Sequence, residues 1–192
     1  MSRKPQDLTR DQLLSIALDY WPSLKDYEQE PGPEDKRRFA VCKQKLQEHD
    51  RWLAFLKNLR RELPEFTIGD YTGPGPCFCC VAYPDRNLPQ PPLRWVVAAC
   101  VSFLAPVYTV YGVQFDYSDN ERVFKQLALW PLPPEIQATA DIISKRIEEA
   151  FQVTALPHEL AELRVPLFVQ FTEPPETRLF HALFLDNPEN LP

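Results

Sequence analysis

The sequence predicts an α+β fold in which one antiparallel β-sheet packs against helices within a single domain. Three observations lead there. The segment 94–115, RWVVAACVSFLAPVYTVYGVQF, is apolar and rich in β-branched and aromatic residues, with Pro106 at its middle. Amphipathic, helix-like segments lie on both sides of it. The apolar segments between them follow one another through short turn-forming connections, which suit hairpins and leave no room for helical crossovers, so a parallel doubly wound sheet is excluded.

At 192 residues, 44% of them apolar, the chain holds ample core material for one domain. Its helical part is expected over about 8–64 and its sheet-rich part over about 76–192. In LTRDQLL, Thr9 is placed to cap a helix, Gln12 to reach back to it, and Leu8 and Leu13 to pack across the start. A helix over about Asp11–Trp21 follows, stopped by Pro22. After the polar EQEPGPEDKRR, Phe39, Cys42, Leu46, His49, Leu53 and Leu56 recur at steps of three and four, which predicts one long helix with one apolar stripe, ending near Pro64. His49 on that stripe reads as a hydrogen-bonded structural residue, and Trp52 and Leu59 beside it favour packing on a sheet over a coiled coil.

GDYTGPGPC carries three of the five glycines and marks the change to strand. CFCCVAY at 77–83 is a strand, and PDRNLPQPP turns the chain. Residues 95–115 lack any charge and are long enough, at ~20 apolar residues, to cross a bilayer as a helix. Pro106 and the β-branched content instead predict two paired central strands broken at Ala105–Pro106, each apolar throughout because both faces are covered. ERVFKQLALW alternates as a further strand. LPPEIQATADIISKRIEEAF is a helix with Pro134 near its start and Ile136, Ala140, Ile143 and Ile147 on one face. PHELAEL makes a short helix, and VPLFVQF and TRLFHALFL read as two closing strands around the turn TEPPE.

Five cysteines, Cys42, Cys77, Cys79, Cys80 and Cys100, do not form the even, spaced set of a disulfide framework and read as reduced thiols. Cys77, Cys79 and Cys80 alternate between the faces of a strand, so they cannot converge on one metal ion without a bulge. No nucleotide-binding glycine motif, zinc-protease motif, nucleophile elbow or calcium loop is present, so no catalytic residue, cofactor or metal is expected. The opening MSRKPQDLTRDQLL turns amphipathic at once instead of forming a secretion signal, and a cytoplasmic location is expected.

The net charge of −6 arises wholly within residues 134–192, which hold ten acidic and four basic residues. Such a face disfavours nucleic acid and favours a basic partner. Glu148 and Glu149, Glu159 and Glu162, and Glu173 and Glu176 form three local pairs there and are the expected partner-binding residues.

The segments VVAACVSFLAPVYTVYG (96–112), EEAFQVTALPHELAELRVP (148–166) and ETRLFHALFLDNPENLP (176–192) together resemble the immunity proteins that bacteria encode beside polymorphic or contact-delivered toxins. The resemblance covers the half of the chain from Arg94 onward and rests on apolar and turn patterns. It implies a cytoplasmic, non-catalytic protein that occludes or distorts a cognate toxin domain, while the acidic face and the strand-like segment 95–115 argue against nucleic acid and membrane as partners. The family has no fixed active-site motif, so it assigns no functional residue here. A general protein-interaction or structural module and an enzyme with an unfamiliar site are the alternatives.

Overall fold

In a computed structural model, residues 8–23, 31–73, 75–85, 91–118 and 121–192 are described. Parts of the EQEPGPEDKRR, GDYTGPGPC and PDRNLPQPP connections, residues 28–30, 74 and 86–90, lie outside them. Helix α1 (Arg10–Tyr20) begins as the sequence predicts: the Thr9 side chain accepts from the Gln12 N–H at 3.3 Å, and Gln12 Oε1 accepts from the Thr9 N–H at 2.8 Å. Helices α2 (Pro33–Lys45) and α3 (His49–Glu62) follow, then strands β1 (Phe66–Asp70), β2 (Cys77–Pro84), β3 (Leu93–Ser102), β4 (Val107–Asp116) and β5 (Val123–Ala128). Helix α4 (Pro134–Phe151), strand β6 (Thr154–Ala155) and helices α5 (His158–Ala161) and α6 (Leu179–Leu183) complete the order.

Strands β1 to β5 form an antiparallel sheet in sequence order, and β6 adds a short parallel pairing to β4. The uncharged stretch is the central pair, with Val101 opposite Tyr108 and the connection at Phe103–Pro106. No helix among the described residues is long and apolar enough to cross a membrane.

Both faces of the sheet are covered, which is why β2 and β3 read as continuous apolar runs. On one face α3 and α4 bury Trp52, Phe55, Leu56, Ile136, Ile143 and Ile147 against Phe78, Cys80, Val97 and Ala99. On the other, α1, α6 and the C-terminal segment bury Leu13, Trp21, Phe180 and Leu183 against Cys77, Cys79, Cys100 and Tyr111. The five cysteines are free thiols. Burial raises the pKa of Cys77, and drives those of Cys80 and Cys100 well above the ordinary thiol value, which holds them in the unreactive protonated form. Among the described residues no group of three His, Cys, Asp or Glu side chains is arranged to hold a metal ion.

Three sequence-based assignments are corrected. The single long helix is two helices joined by a 3-10 turn at Leu46–Glu48. That turn rotates the buried face, so Phe39, Leu46 and Leu53 of the expected stripe are exposed, and Trp52, Phe55, Leu56 and Leu59 form the core face. On α2 the buried position is Arg38, whose guanidinium stacks 3.8 Å from the Trp21 ring, pairs with Asp35 at 2.5 Å and donates to the Tyr20 carbonyl. Charge patterning hides such a site, because Arg covers an aromatic face while satisfying its own donors.

The sheet also begins earlier than expected, at β1. Five residues interrupted by Gly69 give little strand signal alone, and their pairing with β2 supplies it. Finally, the two closing strands are not strands. Val165, Leu167 and Val169 alternate inward as a strand would, but the segment makes only isolated bridges, Arg164 with Arg178 and Val169 with Thr172. TRLFHALFL contains α6, with Leu179, Phe180, Ala182 and Leu183 all buried. A short run buried all round carries no period by which to separate helix from strand.

Candidate functional site

The acidic C-terminal third is built from α4, α5 and the loop that leads into α6. Proline at its first position and the Ile136–Ala140–Ile143–Ile147 face lay α4 along the sheet. This leaves its last turn to present Glu148 and Glu149. Glu148 accepts a hydrogen bond from the Tyr108 hydroxyl at 2.8 Å, and Glu149 pairs with Arg146 at 2.6 Å. Arg146 also pairs with Glu62 of α3 at 2.7 Å, so Glu149 serves the α3–α4 contact. Glu162 pairs with Arg178 at 2.9 Å and ties α5 to the segment preceding α6.

The other three expected residues face solvent. Glu159 lines a cavity between α4 and α5. Glu173 and Glu176 flank the Pro174–Pro175 turn, closed by the Glu176 N–H donating to the Glu173 carbonyl at 2.8 Å. The six glutamates are therefore not one equivalent set: Glu149 and Glu162 are neutralised by arginine, and Glu148 is held by a tyrosine.

Sequence reasoning missed Phe171, which lies two residues before Glu173. Val169 and Thr172 exchange backbone hydrogen bonds across a two-residue turn, at 3.0 and 2.7 Å, with Gln170 in the left-handed region at φ 45°. The turn places the Phe171 side chain outward, 93% exposed. Asp186 holds it from the other side, accepting the Phe171 N–H at 3.4 Å through its carboxylate and the Thr172 hydroxyl at 3.1 Å through its carbonyl. The available signal was the position of Phe171 immediately before TEPPE, where an alternating segment must end.

Two histidines occupy defined sites. His49 Nε2 lies 3.0 Å from Asp70 Oδ2, while Trp52 Nε1–H and the Thr72 N–H each donate to Asp70 Oδ1 at 3.0 Å. Burial alone would raise the Asp70 pKa; the hydrogen bonds from Thr72, Trp52 and His49 outweigh it and hold the carboxyl below its usual value. Asp70 thereby joins the end of β1 to α3, and His49 has the hydrogen-bonded role the sequence suggests.

His181 Nδ1 accepts the Arg178 N–H at 3.1 Å at the start of α6, and burial, with Arg178 nearby, lowers its pKa to about 4. Protonation turns that acceptor into a donor and breaks the bond. A depressed histidine pKa gives stability that is full above the unfolded value and is lost as pH falls towards the folded one. Stability is expected to drop by about 2 kcal/mol between pH 7 and pH 4 through this ring, less than the full linkage because the ring is part-exposed. Denaturant titrations across that range check it: His181→Gln is expected to flatten the dependence, and an unchanged slope refutes the assignment.

No protein-family model, no curated protein and no solved structure matches this chain.

Proposed function

We propose that the chain is an immunity protein that binds a cognate toxin domain in the cytoplasm and neutralises it by occlusion, without catalysis. The observation that carries this reading is Phe171, an almost fully exposed aromatic side chain fixed at the tip of a turn, its N–H bonded to Asp186 and its chain running on into Glu173 and Glu176. Binding energy at protein interfaces concentrates in a few aromatic and arginine anchors, and surrounding charges act mainly on encounter and orientation. An apolar anchor carried in an acidic segment fits an apolar pocket on a basic domain, as in a toxin that acts on nucleic acid.

The test is co-expression with the product of a neighbouring toxin gene, scored for growth and then for affinity with purified proteins. Phe171→Ala is expected to weaken binding about 100-fold, mainly through faster dissociation. Reversing Glu173 and Glu176 to lysine is expected to slow association about tenfold and to weaken its salt dependence. Glu162 is left intact, because a lysine there would face Arg178 and disturb the fold. Full rescue and unchanged affinity in both variants would falsify this interface.

A further inference from the structure

The outer edge of β4 changes partner along its length. Its N-terminal end runs beside β6, with Tyr108 opposite Ala155 and the Leu156 N–H donating to the Tyr108 carbonyl at 2.8 Å. Its C-terminal end runs beside β5, whose last partner is Ala128 opposite Gly112. Val110 lies between the two. Because a strand turns alternate residues to the same edge, its N–H and C=O point the same way as the Tyr108 carbonyl, into the gap.

At that gap is a cavity of about 420 Å³, bounded by α4, α5 and the residues after β5. Its walls include Leu132, Leu156 and Trp130, the last 60% exposed. Asp141 of α4 and Glu159 of α5 also line it, and neither makes an ion pair among the described residues; Asp141 accepts only the Gln137 amide, at 2.8 Å. His158 is also a lining residue, but its Nδ1 is buried out of reach of solvent, with no hydrogen-bond partner among the described residues. Among the described residues no lysine or arginine lines the cavity.

We infer that this cavity receives the side chain of an arginine carried on a partner polypeptide. Two unpaired carboxylates with no cation beside them select a positive charge. The open face of Trp130 and the apolar walls suit a planar guanidinium on an aliphatic stem better than a strongly hydrated ammonium. The Val110 carbonyl supplies an acceptor for an N–H group that the carboxylates leave unbonded. A free amino acid is disfavoured, because its α-carboxylate would meet Asp141 and Glu159 with no cation to receive it.

The inference deepens the toxin-binding reading, since a basic domain is the source of such an arginine, but its test needs no toxin. N-acetyl-arginine-methylamide is titrated into the full chain while the indole N–H signal of Trp130 is followed, with Trp130→Phe used to assign that signal. Saturable binding with Kd of order 1 mM is expected. The uncharged citrulline analogue and free arginine are each expected to bind at least tenfold more weakly, as is the blocked arginine to an Asp141→Asn, Glu159→Gln double variant. Both substituted positions are exposed, so the variant is expected to keep its fold, which its unchanged remaining spectrum checks. No saturation up to about 20 mM, or equal binding of the citrulline analogue or of free arginine, overturns the inference. Failure of toxin rescue with binding intact removes the toxin reading and leaves the arginine site standing.

Discussion

Replacing Trp52 with alanine is expected to cost about 4 kcal/mol of stability, enough to bring a domain of ordinary stability close to unfolding. The indole is fully buried between sheet and helices. It stacks on Phe78 at 5.2 Å with an 11° interplanar angle and on Phe55 at 5.0 Å, and Phe151 of α4 packs against it at 5.8 Å. Its N–H also satisfies Asp70, so alanine leaves both a large cavity and a half-buried carboxylate short of a donor. Trp52→Phe separates the two effects: it keeps most of the packing, loses the hydrogen bond and is expected to cost about 1–2 kcal/mol. Equilibrium denaturation followed by far-ultraviolet circular dichroism measures both. A loss below 2 kcal/mol for the alanine variant contradicts the central place given to this ring.

Gly75→Ala is expected to destabilise the fold by about 3 kcal/mol, through space and not through backbone conformation. A Cβ added there falls 1.9 Å from the carbonyl oxygen of Phe184 and 3.0 Å from Leu185 Cδ2. The first is backbone, so rotation of a side chain cannot relieve it. The loop before β2 therefore runs against the end of α6, where Cys77 Sγ also donates to the same carbonyl at 3.6 Å. Gly73 supplies the contrast: its φ of 141° favours glycine, yet nothing lies within 4 Å of an added Cβ. Gly73→Ala is expected to cost about 1 kcal/mol of backbone strain. If thermal denaturation ranks Gly73→Ala as the worse of the two, the close approach of loop and helix is wrong.

The contrast between α1 and the α2–α3 region shows why the sequence was informative in one place and misleading in the next. Thr9 and Gln12 complete their box within one turn, and Pro22 stops the helix two residues after Tyr20, so every determinant of α1 is local. The stripe from Phe39 to Leu56 had equally good spacing, but spacing assumes one unbroken helix. A 3-10 turn breaks the phase, and Trp52 and Leu59, which looked like flanking residues, became the buried face. The same limit applied to the carboxylates. Glu159 and Glu162 stand three apart on paper, yet one faces a cavity and the other is neutralised by Arg178, sixteen residues away.

By itself the sequence determined the antiparallel centre of the fold, the start of α1 and the inward face of α4. Each of these is written in residues a few positions apart: β-branched runs interrupted by Pro106, a capping pair, and four apolar residues at helical spacing. Only the tertiary structure decided that TRLFHALFL holds a helix, that Arg38 is buried on Trp21, and that Phe171 stands exposed beside Asp186. It alone placed Trp130, Asp141 and Glu159 around the gap between β5 and β6. Those features depend on which distant segments meet. A buried run has no period of its own, and a charged or aromatic side chain takes its role from the partner that long-range packing brings to it.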